Sequence, residues 1–242
     1  MSLPHFFAGA PEPGESVVLE AGDARHAIRS LRLRPGDRFT SSDGRGGLAQ
    51  CRIVRAAQLL VEGEVVERDV APSPRPDVSV LLAPPRGERL SWAVQKLTEV
   101  GTDGIVLIEA PRSVRRWSGE RASRAAGRME AVAREAAKQS RRRFLPRVMG
   151  PIPWAEAVPA PDGRTMILWE GASHRLSTLL PLDAPEAVAL VIGPEGGISE
   201  EDAREAERSG ALLASLGPQI LRTETAAIVA ATMTLARYGR LA

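Results

Sequence analysis

Two stretches of the chain carry residue types and spacings that could do chemistry. The first is Val191 to Ser199, VIGPEGGIS, in which an apolar run ends in Gly193-Pro194-Glu195-Gly196-Gly197 and a helix-start signal follows at Ser199. Glycine lets a backbone approach a ligand with no Cβ in the way. In parallel sheets, ligands collect at the carboxyl ends of strands. The spacing matches neither the dinucleotide fingerprint nor the P-loop. Pro194 removes a donor and Glu195 would repel phosphate, so the loop suits an adenosine-like ligand without a pyrophosphate. Taken alone, it also reads as an ordinary glycine turn. The second stretch, Ser215 to Thr225, SLGPQILRTET, repeats the arrangement: an apolar run, a Gly-Pro turn, then a helix start. Two such loops at one sheet edge can close around a single ligand. Arg222, Thr223 and Glu224 then stand at the mouth of the last helix, where Thr223 can serve as N-cap and Glu224 can favour the helix dipole.

Other reactive residue types are sparse. The single cysteine, Cys51, can form no internal disulfide, and no Cys/His cluster has zinc spacing, so no metal site is expected. Cys51 lies in an alternating run and reads as a small buried hydrophobe rather than a nucleophile. His174 reads as a surface histidine, with the alternative that it faces a ligand. Trp92, Trp117, Trp154 and Trp169 read as packing residues rather than base-stacking platforms.

Charge is uneven although the formal net charge is only +2. Residues 25–55 hold eight arginines against two acids, residues 112–147 hold eleven arginines and one lysine against three acids, and residues 148–242 hold seven basic against twelve acidic residues. Two basic blocks on a nearly neutral chain suggest a polyanion-binding face. No apolar run reaches the length of a membrane span, and Met1 to Ala10 lacks the pattern of a secretory signal. A cytoplasmic protein is the expectation.

The elements that must position these residues fall into two groups. Short alternating runs at Ser16–Glu20, Arg38–Ser42, Leu48–Val54 and Leu59–Val66, separated by Gly and Pro turns, predict a small antiparallel sheet or barrel, with a short helix starting at Asp23. The proline-rich segment Asp69 to Asp77 predicts a linker. Beyond it, strands at Val78–Ala83, Ile105–Glu109, Thr165–Trp169, Ala187–Ile192 and Ala211–Leu216 alternate with helices at Glu88–Val100, Ser118 to about Ser140, from Ser199, and Thr223–Tyr238. Several of these strands are apolar throughout, which means a parallel sheet covered on both faces.

IGPEGG followed by LGPQILRTETA resembles the RsmE family of small-subunit ribosomal RNA uridine-N3 methyltransferases, within the SPOUT superfamily. Three further motifs extend the likeness over nearly the whole chain. They are His26 with Leu31-Arg32 and Pro35-Gly36-Asp37, the helix Gln95-Lys96-Leu97-Thr98-Glu99-Val100-Gly101, and the segment from Glu135 to Pro146. The chain departs from the family pattern at His5, where arginine is frequent, and at Arg141, where glycine is usual. The resemblance implies an α/β fold: a trefoil-knotted parallel sheet over residues 78–242, preceded by a PUA-like β-barrel at 1–70 and a linker at 71–77. It implies S-adenosyl-L-methionine as cofactor. The cofactor would be held by Leu168, Trp169 and Glu170, by Ile192, Gly193, Pro194, Glu195 and Gly196, and by Ser215, Leu216, Gly217, Ile220 and Leu221. It also implies a homodimer through the knotted domain, and small-subunit ribosomal RNA or the 30S subunit as substrate.

The chemistry of that reaction suits the residues. A sulfonium carries its own leaving group, so alignment and removal of the N3 proton remain for the protein. Arg222 is the candidate cation against charge developing on O2 or O4, and Glu224 could accept the proton or orient a group that does. On the basic blocks, His26, Arg29 and Arg32 of the barrel, Arg115, Arg116, Arg121, Arg124 and Arg128 before and along the long helix, and Arg142 are the expected RNA contacts. Arg121, Arg124 and Arg128 are spaced to share one helical face. Two other readings stay open: a different SPOUT enzyme acting on a ribose 2′-OH or a tRNA base, and an RNA-binding protein without catalysis. A nucleotide-binding oxidoreductase lacks its phosphate fingerprint here.

Overall fold

The computed structural model describes residues 3–112, 119–158 and 164–241. Arg115, Arg116, Trp117 and the expected helix start at Ser118 lie outside them. The chain divides into two compact units, Met1–Ser73 with Ala137–Leu145, and Pro74–Ala136 with Pro146–Ala242.

The first unit is built on a five-stranded sheet. Strands β1 (His5–Phe6), β2 (Ser16–Glu20), β3 (Arg38–Ser42), β4 (Gly47–Ala57) and β5 (Leu60–Val70) lie in the order β1-β3-β4-β5-β2. The sheet is antiparallel except that β1, a strand too short to leave a periodic signal, pairs parallel with β3. Alternation along β4 buries Ala49, Cys51 and Ile53 against Phe6, Phe39, Val61 and Val65. Burial pushes the Cys51 thiol up to about 11, so it stays protonated and packs as a hydrophobe. The short helix begins earlier than expected: α1 (Ala21–Arg25) runs into a π-turn over His26–Ser30, and Ala24 and Ala27 reach the core. The returning segment 137–145 is tied to this sheet. His5 Nε2 bonds the Arg142 carbonyl at 3.1 Å, Ser42 Oγ donates to Arg143 O at 2.9 Å, and Lys138 pairs with Asp23 at 2.6 Å. Arg141 takes φ +54°, the left-handed region that a glycine would occupy without strain.

The second unit is a six-stranded parallel sheet. Its strands are β6 (Asp77–Leu82), β7 (Gly104–Glu109), β8 (Arg147–Pro153), β9 (Thr165–Leu168), β10 (Ala187–Ile192) and β11 (Leu212–Ala214), in the order β11-β9-β10-β6-β7-β8. Its helices are α2 (Arg89–Val100), α3 (Glu120–Gln139, whose last three residues belong to the first unit), the single turns α4 (Trp154–Ala157) and α5 (Leu176–Leu179), α6 (Glu200–Arg208) and α7 (Thr223–Arg237). Val78, Val80 and Leu82 pack on one face with residues of α2, α3 and α7, while Leu81 and Ala83 pack on the other with Ala203 and Ala206 of α6. This two-faced burial is why the strands read as continuous apolar runs. Edge strand β8 gives no such signal because Gly150-Pro151 interrupts it, and proline is tolerated only where a ladder donor is dispensable. Strands β5 and β6 extend to Val70 and from Asp77, which leaves 71–76 as the irregular connection. α2 ends as expected at Gly101, with φ +108°.

Candidate active site

The loops following β9, β10 and β11 share one end of the sheet because all three strands run parallel. After β10 the chain makes a tight turn closed by Gly197 N–H donating to Pro194 O at 2.9 Å, with Gly197 at φ +73°. Ser199 then caps α6, its hydroxyl accepting from Asp202 N at 3.1 Å. After β11 the Gly-Pro loop runs into α7. The expected cap is displaced by one residue: Arg222, in extended conformation, occupies the N-cap position without a side-chain bond, and Thr223 is the first helical residue. The buried Thr223 hydroxyl instead donates to Gly193 O at 3.2 Å. That bond fastens the two Gly-Pro loops to each other.

Between them opens a cleft of about 940 Å³. Its lining brings together Leu168, Glu170, Ile192, Gly193, Pro194, Glu195, Gly196, Ile220, Leu221 and Arg222. Trp169, Ser215, Leu216 and Gly217 do not line it. Trp169 donates its indole N–H to Ile198 O at 3.1 Å and packs in the core under α6. The Ser215 hydroxyl is spent on the Gly217 backbone, and its main chain pairs with the segment 174–176. Two glycines of the lining are required by their surroundings: a Cβ at Gly193 would stand 2.6 Å from the Ile198 side chain, and Gly197 holds the left-handed φ of the turn.

Sequence reasoning missed one wall. Arg86, Gly87, Glu88 and Arg89, from the loop after β6 and the start of α2, line the same cleft. The signal was present, since PRGER follows an apolar strand just as the two Gly-Pro loops do. Glu195 is held by this wall, with Arg89 Nη1 at 2.9 Å and Arg86 Nε at 3.4 Å. Arg89 also reaches Glu224, its Nε 3.7 Å from Oε1. Glu224 is only 6% exposed, and among the described residues its Oε2 has no hydrogen-bond partner. The cleft's volume suits an adenosine-sized ligand, and its lining sets Arg86, Arg89 and Arg222 against Glu88, Glu170 and Glu195, of which Glu195 is already ion-paired.

Residues 71–235 match the family described as an RNA methyltransferase domain. The chain belongs to that family. Residues 19–62 match the RNA methyltransferase PUA domain. The chain is 35% identical over 226 residues to the ribosomal RNA small subunit methyltransferase E of Mycobacterium bovis, covering 91% of this chain and 86% of that one. It is 28% identical to the Bacillus subtilis protein of the same name, covering 90% and 89%. The crystal structure of the Neisseria gonorrhoeae enzyme of that name, bound to S-adenosyl methionine, superposes with a TM-score of 0.86 at 26% identity, covering 98% of each chain.

In this RNA methyltransferase the expected RNA contacts stand as follows. His26, Arg29 and Arg32 are exposed on the first unit, Arg32 with φ +57°. Arg121, Arg124 and Arg128 are exposed along one side of α3, flanking the stripe that buries Ala125 and Met129, and Arg124 is ion-paired with Glu120. Arg142 is half-buried, its backbone held by His5 and by Ala137 O. His174 is exposed and outside the cleft lining. Among the described residues no group of three His, Cys, Asp or Glu could hold a metal, and no helix is long and apolar enough to cross a membrane.

Proposed function

We propose that the protein transfers the methyl group of S-adenosyl-L-methionine to N3 of a uridine in small-subunit ribosomal RNA. The observation that carries this reading is the Thr223–Gly193 bond, which joins the two Gly-Pro loops around one cleft at the carboxyl end of a parallel sheet. Membership of an RNA methyltransferase family, and relatives named for the small-subunit RNA, supply the reaction class.

When bound, the cofactor supplies an electrophilic methyl on a sulfonium that departs as a neutral thioether. Leu168, Ile192 and Leu221 would give its cleft apolar walls, and the backbone of 193–197 and 220–221 its polar contacts. Glu170, exposed in the cleft, offers a negative charge that favours a cationic ligand. Arg222, at the mouth of α7, forms no ion pair with a described residue, which leaves its guanidinium available to a developing negative charge on the base. Glu224, one residue into α7, is the acceptor for the N3 proton or the group that orients its removal. The exposed arginines of the first unit and of α3 would track phosphates without reading sequence. The same reading includes a homodimer through the second unit, a trefoil knot at its C-terminal end, and a cytoplasmic location.

The test is direct. Purified protein, methyl-labelled S-adenosylmethionine and 30S subunits or their RNA are incubated, and the RNA is digested and mapped. Label recovered as N3-methyluridine is the expected result. Label on a ribose or on another base overturns the assignment.

A further inference from the structure

A second cleft, of about 800 Å³, adjoins the first in the same unit. It is bounded by one face of α2 (Ser91, Trp92, Gln95), by Val132 of α3, and by Glu224 and Thr225 in the first turn of α7. The two clefts share Glu88, Arg89 and Arg222, so each is one step from the other across a guanidinium wall. Two features of the second cleft call for a ligand. The Glu224 carboxylate is buried with Oε2 unsatisfied among the described residues, and the Arg89 Nε at 3.7 Å from Oε1 is beyond hydrogen-bond range. A buried, unpaired acceptor costs stability and persists where something completes it. Trp92 keeps 46% of its surface exposed beside this carboxylate, a flat apolar face without cover.

Resting on the methyltransferase reading, we infer that this second cleft receives the target base, and that Glu224, which lines it together with Arg89 and Arg222, is the residue that selects uracil. The Watson–Crick edge of uracil presents acceptor, donor, acceptor: O2, N3–H, O4. The wall offers the complement, an acceptor carboxylate with two guanidinium donors. Cytosine presents a lone pair at N3, which a carboxylate repels, and guanine puts a second donor where a guanidinium would have to accept. Trp92 supplies a stacking surface of the kind used for unstacked RNA bases. The shared arginine wall lets the base in one cleft meet the methyl donor in the other, and it places the N3 proton on the unsatisfied oxygen.

The experiment uses the full chain, with uridine 5′-monophosphate and cytidine 5′-monophosphate as probes and S-adenosylmethionine present. The indole N–H resonance of Trp92 is followed by NMR, assigned with Trp92→Phe. Uridine monophosphate should shift it saturably. Cytidine monophosphate should bind about ten- to a hundred-fold more weakly, the range for a hydrogen bond to a charged group. Glu224→Gln, whose amide can both accept and donate, should bring the two nucleotides to similar affinity while S-adenosylmethionine affinity is kept. Equal binding of the two nucleotides by the unaltered protein overturns the inference. So does a Trp92 resonance that ignores nucleotide and follows protein concentration, which would put a second copy on the cleft. Failure of the unaltered chain to bind S-adenosylmethionine overturns the underlying reading, and the inference with it.

Discussion

Replacing Arg240 by alanine should destabilise the second unit by roughly 3 kcal/mol, the lower end of the range for breaking a buried ion pair from one side. Arg240 lies just beyond α7, with its side chain 12% exposed, and it closes the C-terminal segment onto the opposite end of the unit's chain. Its Nη2 donates to Asp103 Oδ1 at 2.9 Å and to the Gly101 carbonyl at 3.0 Å, and its Nη1 donates to the Pro76 carbonyl at 2.6 Å as well as to the second Asp103 oxygen. Removal strands a carboxylate that is 9% exposed and two carbonyls. Asp103 keeps one bond, from Val78 N–H at 2.8 Å, and Gly101 is half-buried and can recruit water in place of the guanidinium, while Pro76 is buried; the surviving bond and the half-buried carbonyl are why the low end of the range applies. The assay is urea unfolding followed by tryptophan fluorescence, since Trp154 and Trp169 pack in this unit. Asp103→Asn combined with Arg240→Met removes both charges and should recover much of the loss, because an apolar replacement leaves no orphan. Additive effects of the two sites, or a single-site loss under about 1 kcal/mol, would refute the clamp.

Arg222→Ala should cut methylation far more than S-adenosylmethionine affinity measured by calorimetry, and equal losses would remove its assigned role. Thr223→Val takes the donor from Gly193 O and should weaken cofactor binding by up to about fivefold, the worth of one neutral hydrogen bond; unchanged affinity would mean the loops hold together without it. Alanine at Arg121, Arg124 and Arg128 together should lower the slope of log affinity for RNA against log salt by about 2, at roughly 0.7 per phosphate contact; an unchanged slope would take α3 off the RNA. Burial holds the His5 imidazole below its ordinary 6.5, with Arg141 adding to the effect and the bond to Arg142 O opposing it. The unfolded chain therefore binds more protons between the folded value and 6.5, and stability falls as pH drops through that window. His5→Gln should flatten the dependence, and an imidazole titrating at or above 6.5 by NMR would contradict it.

The strands were legible where burial made them apolar on both faces. Ala187–Ile192 was read to the residue, and Val78–Ala83 to within one. The edge strand Arg147–Pro153 was not legible, because a strand with one neighbour need not be apolar and can carry proline. The Ser199 cap was read correctly because the bond is local, Oγ to a backbone N–H three residues on. The Thr223 cap was misassigned because the hydroxyl's partner, Gly193 O, is thirty residues away, and no local pattern distinguishes the two fates. Residues 137–145 read as the tail of a long helix and its turn. Their bonds to Asp23, Ser42 and His5 place them with the first unit, which only distant pairing could specify. The non-glycine residue at Arg141 looked like a mismatch with the family. Its φ of +54° puts the arginine in the left-handed region, which a glycine occupies without strain.

The arginine wall follows from strand order rather than strand identity. β6 and β10 are neighbours in register, Leu82 beside Ile192, although more than a hundred residues separate them. Whatever follows each strand must therefore emerge side by side, so Arg86 and Arg89 meet Glu195 even though nothing in PRGER or GPEGG names the other. The same placement accounts for Glu224. Thr223, bonded to the loop after β10, fixes the first turn of α7, and the next side chain is buried there with Arg89 of α2 as its ion-pair contact among the described residues. Among the described residues the structure thus keeps an unsatisfied acceptor beside the cleft of the two Gly-Pro loops, a cost in stability that makes sense where a donor arrives from outside.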